Sequence, residues 1–178
     1  MKSFKTLFLL GLFLTFTLAI TGCEETPITP AGNNIPNPPA TEDAPDFSLT
    51  SVSGTTVSLA DFSDKPLVIF FFGSSCTLCK GSAPSIESGI AAKFDSKDVG
   101  IIGIDTWDGN LSAVNSFKNT TGVTFDLLLN GSTVENAYNI TYDRLLVVDK
   151  NGKIAFKGKS SASNDVNDVV KLLEDLLM

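Results

Sequence analysis

The chain has 178 residues, 43% of them hydrophobic, with 20 acidic against 13 basic side chains, three cysteines and no histidine. A net charge of −7 excludes nucleic acid as a partner, because neutralising phosphates takes clustered Lys and Arg. The missing histidine excludes a Ser-His-Asp hydrolase, a His-ligated zinc or copper site and an imidazole proton shuttle. Three cysteines cannot supply a metal cluster held by four thiolates of one chain. No metal or cofactor is expected, which leaves carboxylate, hydroxyl, lysine or thiol chemistry, or none.

Lys2 and Lys5 precede an apolar run of 14 residues, Leu7 to Ile20, followed by Thr21-Gly22-Cys23. A basic start, a short hydrophobic stretch and small residues before a break predict a secretory signal over residues 1–22. The run is too short to span a bilayer, which takes roughly 20 residues. Ile20-Thr21-Gly22-Cys23 resembles the bacterial lipobox, which implies acylation and cleavage at Cys23. Cleavage there leaves 156 residues with 11 basic against 20 acidic side chains. Acyl chains on Cys23 would anchor the protein to a membrane at about 0.8 kcal/mol per buried methylene. The expected compartment is extracytoplasmic, on the periplasmic side or the cell surface, where disulfides persist.

Residues 23–43 read as a lipid-anchored tether, with Pro27, Pro30, Pro36, Pro38 and Pro39 and almost no large apolar side chain. A single domain is expected over 44–178. Phe47-Ser48-Leu49 and Val57-Ser58-Leu59 alternate around Gly54 and predict a hairpin. Pro66 to Phe72 reads as a strand buried on both faces. Cys76 to about Phe94 predicts a helix kinked at Pro84, and Val99 to Asp105 a second buried strand. A helix at Leu111–Lys118, strands at Phe125–Leu129 and Arg144–Asp149, a turn at 150–153, a strand at Ile154–Lys157 and a helix at Val166–Leu177 complete the pattern. The fold class is α/β, a mixed central sheet flanked by helices with an N-terminal hairpin extension. Four Asn-X-Ser/Thr sequons, at Asn110, Asn119, Asn130 and Asn139, are read as compositional.

Cys76-Thr77-Leu78-Cys79 demands a chemical reading. It follows a buried strand through Gly73-Ser74-Ser75 and opens a helix. At that junction unpaired N–H groups and the macrodipole favour the thiolate, the nucleophile of disulfide exchange. A cysteine three residues on is close enough to resolve the mixed disulfide. A merely static bridge would close a very small loop and add little stability.

Residues from about Ala44 onward resemble the membrane-anchored, thioredoxin-like thiol-disulfide oxidoreductases of bacteria, the TlpA type. The likeness rests on Ala44-Pro45-Asp46-Phe47, on Val57-Ser58-Leu59-Ala60-Asp61-Phe62 and on Cys76-Thr77-Leu78-Cys79-Lys80. Pro84, eight residues after Cys76, and Val147–Ile154 extend it. The resemblance implies a thioredoxin-like fold, with Cys76 attacking and Cys79 resolving.

Several positions depart from that family. Ser75 stands where a tryptophan usually precedes the first cysteine, and the sole tryptophan, Trp107, is distant in sequence. Ser82 replaces the glutamate of some relatives, and Phe70 replaces thioredoxin's buried acid. No proline occupies Thr141-Tyr142-Asp143-Arg144, where a cis-proline is expected at about position 143. The related AhpC/TSA group also lacks that proline and often carries Tyr-Arg there, although its proline and threonine before the cysteine are absent here. Arg144 is a candidate to stabilise the Cys76 thiolate, Asp143 to take a proton from Cys79, and Tyr142 to touch substrate. An ion pair at the strand edge is the alternative for Asp143 and Arg144.

The leading reading is an oxidoreductase acting on extracytoplasmic protein thiols and disulfides, with a membrane electron donor as a further partner. A thiol peroxidase is the first alternative, and a non-enzymatic redoxin-fold lipoprotein the second. Thr77-Leu78 leaves the direction of electron flow open.

Overall fold

Six consecutive apolar side chains, Leu67–Phe72, form strand β3, and every one of them is buried. Such a run can only be central to a sheet covered on both faces. A computed structural model, describing residues 42–178, places β3 third in a five-stranded sheet of order β5-β4-β3-β6-β7. Strands β4 (Gly100–Asp105) and β5 (Asp126–Leu128) continue parallel on one side. Strands β6 (Arg144–Val148) and β7 (Ile154–Lys157) run antiparallel on the other. The mixed α/β sheet expected from the sequence is present. The predicted signal segment 1–22, Cys23 and most of the tether lie outside the described residues.

Alternation along β3 divides the core. Val68, Phe70 and Phe72 face helices α1 (Thr77–Ile86), α2 (Leu111–Thr121) and α4 (Ala162–Leu176). Leu67, Ile69 and Phe71 face Val134 and Tyr138 beside helix α3 (Ser132–Ala137), together with Phe47 and Val57. The N-terminal hairpin forms its own two-stranded sheet, β1 (Ser48–Thr50) with β2 (Thr56–Ser58), turned at Gly54 with φ +85°. Glu42 and Asp43, read as the end of the tether, already bond to the β6–β7 hairpin. Ile154 N–H donates to the Glu42 carbonyl (2.9 Å), and Lys153 Nζ pairs with Asp43 (2.6 Å).

Several elements differ from expectation, helix α2 among them, which runs on to Thr121. The helix after the cysteines does not continue unbroken to Phe94. Beyond Pro84, which has no N–H to give, Glu87–Ala91 adopts a π-helical turn in which Ala92 N–H reaches the Glu87 carbonyl (2.8 Å). Helix α3 has no counterpart in the sequence reading, because Val134 is its one buried apolar residue and leaves no periodic signal. Helix α4 starts four residues before Val166, with Ser161 at the N-cap position, since Ser163, Asn164 and Asp165 leave its first turn mostly polar.

Candidate redox site

The cysteine pair sits where β3 hands over to α1, and Cys76 is the N-cap residue of that helix, with extended backbone. Cys76 and Cys79 are joined as a disulfide. Cys79 N–H donates to Cys76 Sγ at 3.1 Å, so the sulfur already takes a hydrogen bond from the first turn. Cys76 is 5% exposed and Cys79 is wholly buried against Ala83, Ile86 and the sheet. Both belong to the buried core, and of the two only Cys76 keeps any exposed surface.

Backbone hydrogen bonds fix the approach to Cys76. Cys76 N–H donates to the Gly73 carbonyl (2.9 Å), and Ser74 N–H donates to Asp105 Oδ1 (2.8 Å). Trp107, remote in sequence, is brought over this turn by the parallel pairing of β3 and β4. A Cβ at Gly73 would lie 2.5 Å from Trp107 Cε2, so only glycine leaves room for the indole. The rings of Tyr142 and Trp107 stand nearly perpendicular, at 83°, with centroids 5.0 Å apart. Among the described residues the exposed large apolar side chains are Leu78, Trp107, Leu111, Tyr142, Leu177 and Met178. The first four follow the ends of β3, β4 and α2's leading loop, or precede β6, all at the sheet end that carries the disulfide.

Asp143 precedes β6 beside the end of β3, because Arg144 pairs with Phe71 in the sheet register. Its backbone is left-handed, φ +54°, a conformation that Asp tolerates better than most residues. The Asp143 side chain is buried, and among the described residues neither carboxylate oxygen has a hydrogen-bond partner. The strand-edge ion pair is absent: Arg144 Nη1 donates instead to the Asp143 main-chain carbonyl (2.9 Å). Lys80 contributes its N–H to the Cys76 carbonyl (3.1 Å), as helix backbone. Glu87, in the π-helical turn, accepts from Thr124 N–H (2.9 Å) and Oγ1 (2.8 Å).

Two residues of this region escape a sequence reading, Asp105 and Trp107. Asp105 is fully buried at the end of β4, and burial raises its carboxyl above the ordinary 3.8 against the downward pull of backbone N–H bonds, with the Asp108 charge adding to the rise. An acid closing an otherwise apolar strand is the one signal that marks it beforehand.

Comparison with known proteins agrees with the geometry. The chain is 27% identical over 114 residues to the thioredoxin-like protein YneN of Bacillus subtilis, covering 64% of this chain and 67% of that one. It is 29% identical over 113 residues to the thiol-disulfide oxidoreductase ResA of Geobacillus kaustophilus, covering 62% and 64%. The matched stretch thus spans about two thirds of these relatives' own length. Among solved structures, a candidate protein disulfide isomerase from Bacteroides thetaiotaomicron superposes with a TM-score of 0.70 at 31% identity, covering 76% of this chain and 88% of that one. The fold is thioredoxin-like. Residues 40–157, well over half the chain, match the AhpC/TSA family, and the chain belongs to it.

Proposed function

We propose that the protein is a thiol-disulfide oxidoreductase of extracytoplasmic proteins, held to a membrane through Cys23, with Cys76 attacking and Cys79 resolving. The observation that carries the reading is the pair itself: a disulfide whose first cysteine is the N-cap of a helix, with Trp107 packed over Gly73 in the turn that leads to it. A static bridge across so small a loop would add little stability. The names of the relatives point the same way.

In the reducing direction, the Cys76 thiolate attacks one sulfur of a substrate disulfide and expels the other as a thiolate. The Cys79 thiolate then attacks Cys76 Sγ in the mixed disulfide and releases the second substrate thiolate. Two electrons pass to the substrate, its thiolates take the two protons given up by the cysteines, and the Cys76–Cys79 bridge is left. Oxidation of a substrate dithiol is the same sequence reversed. The helix N-terminus lowers the cost of the thiolate on Cys76. Tyr142 and Trp107 offer an exposed aromatic contact for the substrate chain. The buried Asp143 carboxylate, beside the end of β3, would accept the Cys79 proton. Arg144 would place positive charge near the Cys76 thiolate. Electrons would return from a membrane donor when the protein acts as a reductant.

The experiment is a trap. Cys79→Ser, expressed with its signal intact, should accumulate mixed disulfides with extracytoplasmic proteins, and Cys76→Ser/Cys79→Ser should accumulate none. A parent protein whose pair stays in one state under strongly reducing and strongly oxidising growth sinks the proposal. Hydroperoxide turnover with a sulfenic acid on Cys76, and no mixed disulfide, would make it a peroxidase instead.

A further inference from the structure

Asp105 takes no part in the exchange chemistry above, yet it is the acid most firmly built into the site. Its Oδ1 accepts Ser74 N–H at 2.8 Å, its Oδ2 accepts Gly109 N–H at 2.6 Å, and its main-chain carbonyl accepts Gly131 N–H at 2.8 Å. Ser74 lies two residues before Cys76, and Gly109 lies two residues after Trp107. Burying a carboxylate is costly, and here it sits in the neighbourhood of a sulfur that must become an anion. Its charge alone would oppose the chemistry. What it supplies is geometry, because only a carboxylate presents an acceptor on both terminal atoms.

We infer that Asp105 is a positioning residue of the redox site, joining the turn that delivers Cys76 to the loop that carries Trp107 and so holding Cys76 Sγ at the helix N-terminus. The turn is pinned twice, at Ser74 N–H by Asp105 and at Cys76 N–H by the Gly73 carbonyl. Releasing the first pin lets the sulfur drift from the N–H groups that stabilise its thiolate. This rests on Cys76 being the exchanging thiol, as proposed above.

Charge and geometry predict opposite signs, which makes the inference testable. Asp105→Asn removes the charge and sets an NH2 against one of two N–H donors. Gly109→Ala keeps the charge and wedges the junction, since its Cβ would meet Asp105 Oδ2 at 2.8 Å and Ser74 Cβ at 3.1 Å. Each is made in the full chain. The pH profile of Cys76 alkylation by iodoacetamide is read in a Cys79→Ser background, and the Cys76–Cys79 potential against glutathione with both cysteines present.

Both variants should raise the Cys76 pKa by about half to one unit, slow alkylation at pH 7 by about threefold to tenfold, and make the potential more negative. A lowered Cys76 pKa in Asp105→Asn means the charge dominates, and overturns the inference. So does a fall in melting temperature with unchanged alkylation and potential, the mark of a purely structural tie. Should Asp105→Asn fail to fold, Gly109→Ala decides by the same readings. A parent pair that never exchanges with glutathione overturns the exchange reading and this inference with it. A parent that exchanges, with variants that match it, overturns this inference alone.

Discussion

Gly73→Ala tests the packing of the site with the smallest possible change. The added methyl would lie 2.5 Å from Trp107 Cε2 and 2.9 Å from Cε3, where ordinary contact begins near 3.4 Å. The indole must therefore retreat by about 1 Å, and at 45% exposure it can swing outward. Full displacement would expose roughly 100 Å² of ring, about 2.5 kcal/mol, and lose an aromatic pairing with Tyr142 of about 0.5–1.5 kcal/mol. Partial resettling recovers some of this, so a loss of about 1–3 kcal/mol is expected. That corresponds to roughly 4 °C in melting temperature per kcal/mol for a domain of this size. Trp107 is the only tryptophan, so its emission reports the change directly and should shift to the red. Equilibrium denaturation followed at that wavelength gives the free energy. Unchanged emission and stability would refute the claim that the indole rests on the Gly73 backbone.

Tyr138→Phe should cost about 0.5–1.5 kcal/mol in urea unfolding at neutral pH, because Tyr138 Oη donates to the Pro45 carbonyl at 2.6 Å and ties the N-terminal segment to the body of the domain. Burial, and then the Asp46 charge, push the Tyr138 hydroxyl well above its ordinary value of 10.0. Its stabilisation is therefore complete below pH 10 and fades as pH climbs towards the folded-state value, so the gap between parent and variant should narrow in strong alkali; a gap that widens there contradicts the assignment. Arg144→Ala should raise the Cys76 pKa by about half a unit if the guanidinium supports the thiolate, and an alkylation profile superimposable on the parent's would remove Arg144 from the site.

The site was legible in the sequence wherever chemistry depends on neighbours along the chain. Cys76 and Cys79 are separated by one helical turn, and the junction of an apolar strand with a helix is visible in Leu67–Phe72 and the residues that follow. Asp143 and Arg144 were marked by counting back from Asp149, and the alternative reading of them, a strand-edge ion pair, is not realised, because the guanidinium meets a main-chain carbonyl instead. Why a buried Asp143 carboxylate should go without a partner has no counterpart in composition or spacing.

Hydrophobic periodicity sufficed for the strands, for the long helices and for an α/β class, since each depends on residues at most a turn apart. Short polar elements such as α3 escaped, carrying too few apolar side chains to mark a face. The remainder belongs to tertiary structure. Ser74 meets Asp105 across 31 positions and Gly73 meets Trp107 across 34, and both meetings follow from the parallel alignment of Phe72 with Asp105. No local preference encodes a register between two strands. It is chosen when both faces of β3 are buried at once, and that choice delivers an acid and an indole to the turn before Cys76.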